Sequence, residues 1–346
     1  MKNNLKLLFV SLGCDKNLVD TEFMLGMLRD DGIEMTDDEQ EADIIIVNTC
    51  CFINDAKEES VNTILEMAEY KKTGPLKALI VTGCLAQRYK EEIKTEIPEV
   101  DAILGTNSYE DIVKAVHEAL GGTFYENFKT LEGLPSIHTK RSVTTGGHFA
   151  YLKIAEGCNK RCTYCIIPYA RGRVRSRKIA HVMDEVHALA AKGYKEVVLT
   201  GIHLSSYGVD FPAEEKETLL SLIRAVHEVE GIERIRLGSL EPGIITEEFV
   251  QSIAALPKMC PHFHLSLQSG CDTTLERMNR RYRSAEYAEK CGLLRKYLGN
   301  PALTTDVIVG FPMETEEDFQ DSYDFVESIH FYETHIFKYS RRHGTK

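Results

Sequence analysis

The chain has 346 residues, 43% of them hydrophobic, with 41 Lys+Arg against 53 Asp+Glu and ten cysteines. That length allows about two domains with sizeable cores. Ten cysteines outside a small secreted framework exclude a disulfide-stapled domain and point to metal ligation in a reducing compartment, hence the cytoplasm.

At the amino terminus Lys2, Lys6, the apolar run Leu7 to Leu12 and Gly13-Cys14 imitate a lipoprotein signal, but the run is too short for a secretory core. No other stretch reaches the ~18 apolar residues of a membrane span, so no membrane association is expected. Leu7 to Gly13 instead reads as a buried strand followed by Cys14. The same pattern recurs at Asp43 to Thr49 before Cys50 and at Ala78 to Gly83 before Cys84. Helical patterns separate these runs at Asp20 to Asp30, Ala56 to Tyr70 and Arg88 to Ile97, which makes an open parallel α/β sheet with crossover helices. Carboxyl ends of parallel strands share one edge, where such sheets bind ligands. A lone cysteine after a strand is usually a small buried hydrophobe, but three at equivalent positions predict a site. Of the adjacent pair, Cys50 is expected to face that site and Cys51 to pack.

This first part is acidic. Residues 1–140 hold 14 Lys+Arg and 26 Asp+Glu, whereas 141–346 hold 27 of each. Such a surface repels a phosphate backbone and favours a basic protein partner.

From 124 to 147 the pattern lapses into polar and small residues that read as a linker. Then comes Glu156-Gly-Cys-Asn-Lys-Arg-Cys-Thr-Tyr-Cys165, a C-x-x-x-C-x-x-C run. Zinc frameworks usually supply four ligands in two separated pairs. Three thiolates in one tight loop instead suit an iron–sulfur cubane with one iron left open. Beyond it Arg171, Arg173, Arg175 and Arg177 alternate, so on an extended segment they share one face that grips phosphate or forms a solvated basic edge; Arg280, Arg281 and Arg283 carry the same two readings. Strand patterns follow at Tyr151 to Ala155, Glu196 to Thr200, Arg234 to Leu237, His262 to Leu267, Thr304 to Val309 and Thr334 to Tyr339. Helical patterns lie between them, giving a partial (βα)6 barrel whose site belongs to the loops after the strands. Cys260, Cys271 and Cys291 have no ligand spacing and read as core residues.

The run from Glu156 to Cys165, with Tyr164 before its third cysteine, resembles the cluster loop of radical S-adenosylmethionine enzymes. Together with Ser11-Leu-Gly-Cys-Asp-Lys-Asn-Leu-Val-Asp20 and Val47-Asn-Thr-Cys50, it makes nearly the whole chain similar to the radical S-adenosylmethionine methylthiotransferase family. The resemblance implies an N-terminal methylthiotransferase domain over 1–123, the linker 124–147 and a radical domain over 148–346. It implies two 4Fe-4S clusters: one on Cys158, Cys162 and Cys165 that cleaves S-adenosylmethionine, and one on Cys14, Cys50 and Cys84 that handles sulfur. Thr200 and Gly201 would meet the cofactor's amino acid end, Ser266 and Gln268 its ribose, and Tyr164 and Gly310 its adenine. An external reductant such as flavodoxin or ferredoxin is implied as well. The family usually has Gly-Phe-Pro-Gly-Glu-Thr where this chain has Gly310-Phe-Pro-Met-Glu-Thr315.

Replacing an unactivated C–H by C–S offers no acidic proton to a base, so a radical cofactor must carry the reaction. The substrate divides the sequence. Up to Gly157 the motifs resemble enzymes acting on an aspartate of small-subunit ribosomal protein uS12. Cys165-Ile-Ile-Pro-Tyr-Ala-Arg-Gly172, Thr200-Gly-Ile-His-Leu204 and Leu265-Ser-Leu-Gln-Ser-Gly270 look closer to the branch that modifies threonylcarbamoyladenosine beside the tRNA anticodon. The acidic first part favours the ribosomal protein, with tRNA as the alternative. The chain stops at Gly344-Thr-Lys346, where relatives continue into a small β domain of the TRAM type, which is expected to be missing. A single-cluster radical enzyme and a zinc-binding scaffold are the other readings.

Overall fold

The computed structural model describes residues 5–135, 141–215 and 217–345. Lys2, part of the expected linker (136–140) and the terminal Lys346 lie outside them. The chain divides into two compact units, Met1–Thr144 with Ile166–Arg173, and Thr145–Cys165 with Val174–Lys346.

The first unit is built on six strands, β1 (Lys6–Ser11), β2 (Glu34–Met35), β3 (Ile44–Thr49), β4 (Ala78–Gly83), β5 (Ala102–Leu104) and β6 (Tyr125–Asn127). They form one parallel sheet in the order β2-β1-β3-β4-β5-β6. β3 and β4 are buried along their whole length. Their unbroken runs Ile44-Ile-Ile-Val47 and Ala78-Leu-Ile-Val81 follow from this, since a strand covered on both faces has no polar alternation. Helices α1 (Asp15–Asp30), α2 (Asn54–Thr73), α3 (Cys84–Arg88), α4 (Lys90–Glu96) and α5 (Ile112–Leu120) complete the crossovers. The expected helix at Arg88 to Ile97 is two helices, parted at Tyr89, whose backbone leaves helical geometry at φ −125° and ψ 34°. β6 lies inside the stretch read as a linker. A further helix, α6 (Ile167–Arg171), belongs to this unit although its sequence directly follows Cys165. Ile166 and Ala170 pack into the apolar core formed by Ile45, Val47, Leu79 and Val81.

The second unit carries β7 (Phe149–Glu156), β8 (Arg175–Ser176), β9 (Glu196–Gly201), β10 (Arg234–Leu237), β11 (His262–His264), β12 (Ala302–Val309) and β13 (Glu333–Lys338). The ladders run β10-β9-β7-β8 and β11-β12-β13. Isolated parallel bridges Ile235–Met259, Leu240–Leu265 and Gln268–Val307 continue the strand direction between and beyond them. Six strands are parallel and have outer helices α7 (Ile179–Ala191), α8 (Leu219–His227), α9 (Glu247–Ala254), α10 (Asp272–Arg277), α11 (Ser284–Leu298) and α12 (Glu316–Ile329). This is the partial barrel anticipated from the βα rhythm. β8 is an addition, antiparallel to the end of β7. β11 is shorter than its sequence pattern: beyond His264 the Thr305 hydroxyl takes over the pairing, donating to the Leu265 carbonyl (2.6 Å) and accepting from the Leu267 amide (3.0 Å). Among the described residues no helix is long and apolar enough to cross a membrane.

The Gly310–Thr315 turn keeps a glycine-like shape despite Met313. Met313 has a φ of 67° and is 79% exposed. Glu314 holds the turn by accepting from the Gly310 amide (2.6 Å), and the Met313 carbonyl accepts from Arg277 (2.9 Å). A left-handed non-glycine residue costs about 1–2 kcal/mol, while glycine loses about 0.5–1 kcal/mol more in backbone freedom on folding. Met313→Gly is therefore expected to leave stability unchanged or raise it by up to about 1 kcal/mol in urea unfolding; a clear loss would show that this backbone conformation carries no strain.

Glu196 opens β9 and accepts from Arg234 (2.7 Å) and Arg236 (3.0 Å) on β10. Burial works against its charge, but the two guanidinium hydrogen bonds outweigh it and hold the carboxyl below its ordinary range. A depressed carboxyl stabilises the fold above the unfolded carboxylate pKa and loses that contribution as pH falls through the folded value. Glu196→Gln should lower the melting temperature at pH 7, with the gap from the parent closing on acidification below about pH 4.

Candidate metal centres

In the first unit the β1, β3 and β4 chains all run toward the same edge, and Cys14, Cys50 and Cys84 follow them there. The order β2-β1-β3-β4-β5 places a topological switch between β1 and β3. Glycines precede two of the cysteines. Gly13 has a φ of 90°, and a Cβ on it would lie 2.7 Å from the Cys50 Cβ and 3.0 Å from its sulfur. Gly83 has a φ of 95°, and a Cβ there would run into Asn48 Oδ1 and the Thr49 carbonyl. Ser60 pins Cys50, donating to its carbonyl (2.9 Å) and accepting from its amide (3.0 Å).

Cys14 is exposed, and Cys50 and Cys84 are buried; none is in a disulfide. Burial pushes the Cys50 thiol up to about 12, with the Cys84 and Cys14 sulfurs adding to the rise. Burial raises Cys84 as well, opposed by the Arg171 guanidinium. Left to themselves Cys50 and Cys84 keep their protons; a metal that replaces the proton relieves the cost of burial. Cys51 sits in the apolar core beside Cys84, and its thiol donates to the Cys84 carbonyl (3.3 Å).

In the second unit the Cys158–Cys165 loop leaves β7 through Gly157. The Lys160 amide donates to the Cys158 sulfur (3.4 Å), and the Cys165 amide to the Cys162 carbonyl (3.1 Å). Burial pushes Cys158 up to about 11. The end of α10 and the residues just after it clamp this loop: Thr163 donates to the carbonyls of Met278 and Arg277, and Asn279 donates to the Arg161 carbonyl (2.7 Å). Arg280 donates to the Cys162 sulfur (3.4 Å) and pairs with Glu241 (3.2 Å), which also meets Lys160 (2.7 Å) and His203 (3.2 Å). Burial opposes charge on Glu241, but these neighbours bring its carboxyl down to about 2. Met278, Phe311 and Tyr164 form an apolar wall against Cys162 and Cys165. A cavity of about 460 Å³ opens beside the loop, lined by Lys160, His203, Ser205, Glu241, Ile244 and Phe249.

Of the residues expected to meet the cofactor, Tyr164 and Gln268 are joined directly, the phenol donating to Gln268 Oε1 (2.9 Å). The Ser266 carbonyl accepts from Tyr282 (2.7 Å) and Arg280 (3.4 Å). Thr200 and Gly201 end β9, and Gly310 follows β12. Cys271 bonds Asp318, and Cys260 and Cys291 are buried, away from ligand groupings.

Both triads are all-thiol donor sets, soft enough for iron–sulfur chemistry. Among the described residues no three His, Cys, Asp or Glu side chains are gathered as a single metal ion requires. A cubane bonds its cysteines to separate irons and asks for wider spacing.

Residues 6–105 match the uncharacterized protein family UPF0004, and residues 152–326 match the radical SAM superfamily. A relative from Lachnoclostridium phytofermentans, the ribosomal protein uS12 methylthiotransferase RimO, is 49% identical over 99% of this chain and 77% of its own. The proteins of that name from Clostridioides difficile and Geobacter sulfurreducens are each 44% identical, over 99% and 98% of this chain and 76% of their own. The chain belongs to the uS12 methylthiotransferase family. Membership brings S-adenosylmethionine and iron–sulfur chemistry with it, and makes the chain a radical enzyme. The fold agrees with solved structures of far lower identity. The radical S-adenosylmethionine methyltransferase TsrM from Kitasatospora setae superposes with a TM-score of 0.66 at 15% identity, covering 97% of this chain and 75% of that one. The cobalamin-dependent radical enzyme OxsB gives 0.60 at 14%, covering 94% and 52%.

The alternating arginines do not form the single extended face read from their spacing. Arg171 ends α6 and is fully buried; Arg175 lies buried in β8; Arg177 is buried against Glu185 (2.7 Å) and the Lys153 carbonyl (2.9 Å). Only Arg173 of the four is exposed. Arg280 is buried at the cluster loop, while Arg281 and Arg283 remain at the surface. Arg171 and Arg280, which their spacing reads as phosphate-gripping or basic-edge residues, instead donate to cysteine sulfurs, and Glu241 beside Arg280 carries no local signal, because the partners of all three are distant in sequence.

Gly83→Ala tests the first site's geometry. The added methyl meets backbone and Asn48 at a left-handed position, which should cost on the order of 1–3 kcal/mol and lower iron uptake on reconstitution; unchanged stability and iron content would refute the close approach.

Proposed function

We infer that the chain methylthiolates uS12, replacing a C–H of an aspartate by C–SCH3. The observation that carries this reading is the presence of two separate all-thiol triads in one chain of the uS12 methylthiotransferase family. Cys158, Cys162 and Cys165 would hold one 4Fe-4S cluster, and Cys14, Cys50 and Cys84 a second. With S-adenosylmethionine bound, the clusters supply the radical and sulfur chemistry that an unactivated C–H demands.

The chain's own residues have distinct tasks. Thr200, Gly201, Ser266, Gln268, Tyr164 and Gly310 would orient the cofactor, with the Tyr164–Gln268 hydrogen bond fixing the ring. Arg280 holds the Cys162 sulfur while Glu241 balances its charge. Met278, Phe311 and Tyr164 keep water from the loop. The cavity beside Lys160 and Glu241 has the volume to receive a substrate side chain.

Substrate choice follows from the relatives, whose similarity runs through the C-terminal half where some motifs look like the tRNA branch. The acidic composition of residues 1–140 agrees with a basic ribosomal protein. A flavodoxin- or ferredoxin-type reductant and a cytoplasmic location complete the reading.

Anaerobic reconstitution should give about eight irons per chain, falling to about four when Cys14, Cys50 and Cys84 are all replaced by alanine. About four in both would leave a single-cluster enzyme. Incubated with S-adenosylmethionine, a reductant, uS12 and tRNA together, the intact protein should add a methylthio group to one uS12 peptide, read by mass spectrometry. Modification of tRNA alone would reverse the substrate assignment.

A further inference from the structure

Arg171 is among the largest fully buried side chains, with 1% of its side chain exposed. Burying a guanidinium costs several kcal/mol unless its donors are met. Asp20 Oδ2 accepts from Nη1 (2.7 Å), Asn17 Oδ1 accepts from Nη2, and the Cys84 sulfur accepts from Nε (3.3 Å). Asn17 in turn donates to the Leu12 and Thr49 carbonyls, 3.0 Å each. Leu12 lies just before Cys14, and Thr49 immediately precedes Cys50. One Asn17–Arg171 pair therefore ties together the chain segments of all three cysteines. Its base is firm: Thr106 donates to the Ala170 carbonyl (2.8 Å), and Ile166 and Ala170 are core residues of the same unit.

We propose that Arg171 is a positioning residue of the Cys14–Cys50–Cys84 site, orienting the Cys84 sulfur and raising the reduction potential of the cluster held there. This rests on the assignment of that triad to a cluster. A hydrogen bond to a ligating sulfur withdraws charge from it, and a nearby cation favours the more negative, reduced cluster. Asp20 opposes part of this effect because its carboxylate offsets the guanidinium. Arg171 and Asp20 consequently act on the potential in opposite directions, a relation that a purely structural tie would not produce.

The test uses the full chain with Cys158, Cys162 and Cys165 replaced by alanine, so that only the N-terminal cluster forms. About four irons in this parent protein come first; their absence would overturn the cluster assignment itself, separately from the role of Arg171. Redox titration followed by electron paramagnetic resonance then compares the parent with Arg171→Gln, Arg171→Lys and Asp20→Asn. Arg171→Gln should shift the potential negative, Asp20→Asn positive, and Arg171→Lys should fall between Arg171→Gln and the parent. Unchanged potentials in Arg171→Gln and Asp20→Asn, at full iron content, would overturn the proposal. If Arg171→Gln takes up no iron, Asp20→Asn decides: a positive shift supports the role, and no shift overturns it.

Discussion

Parallel strands end on one edge of a sheet, and the first unit uses that constraint to gather groups far apart in sequence. Cys14, Cys50 and Cys84 each follow a strand of the same sheet, so the register that buries Ile44–Val47 and Ala78–Val81 also carries the sulfurs to a common border. Close approach there leaves no room for side chains at the bends. Gly13 and Gly83 take left-handed conformations where a Cβ would strike a neighbouring strand's loop. The chemistry of the site is thus inherited from the packing of the core behind it.

The two cysteine sites share an electrostatic pattern on different scaffolds. In each, a buried arginine donates to one sulfur, Arg171 to Cys84 and Arg280 to Cys162, and a carboxylate offsets the arginine, Asp20 in one case and Glu241 in the other. Several thiolates brought together in a low dielectric repel one another and lose hydration. A fixed guanidinium lowers that cost for one sulfur, while its carboxylate partner keeps the arginine itself from being a lone buried charge. The direct Arg–S contacts lie within single units, so each site carries its own compensation.

Much of this was legible along the chain. The tight Cys158–Cys165 loop and the cysteines after apolar runs are local patterns, and the βα rhythm foretold both sheets. What misled was spacing without secondary structure. Arg171 to Arg177 share a face only if the segment is extended throughout, but the helix α6 and the short strand β8 break it, leaving Arg171, Arg175 and Arg177 buried and Arg173 exposed. The pattern from His262 to Leu267 promised a longer strand than β11, but beyond His264 the Thr305 hydroxyl replaces the backbone pairing with Leu265 and Leu267. The family's glycine at position 313 could be replaced by Met because the side chain there points into solvent, leaving only a backbone cost.

By itself the sequence determined the all-thiol donor sets, because cysteine number and spacing are properties of the chain, and the α/β architecture of both units, because hydrophobic periodicity is too. Which arginines lie against the sulfurs only the tertiary structure decided. The physical reason is that a buried charge or thiol is defined by its neighbours, and those neighbours, Asn17, Asp20 and Arg171 around Cys84, or Arg280 and Glu241 around Cys162, meet only when distant strands and helices pack.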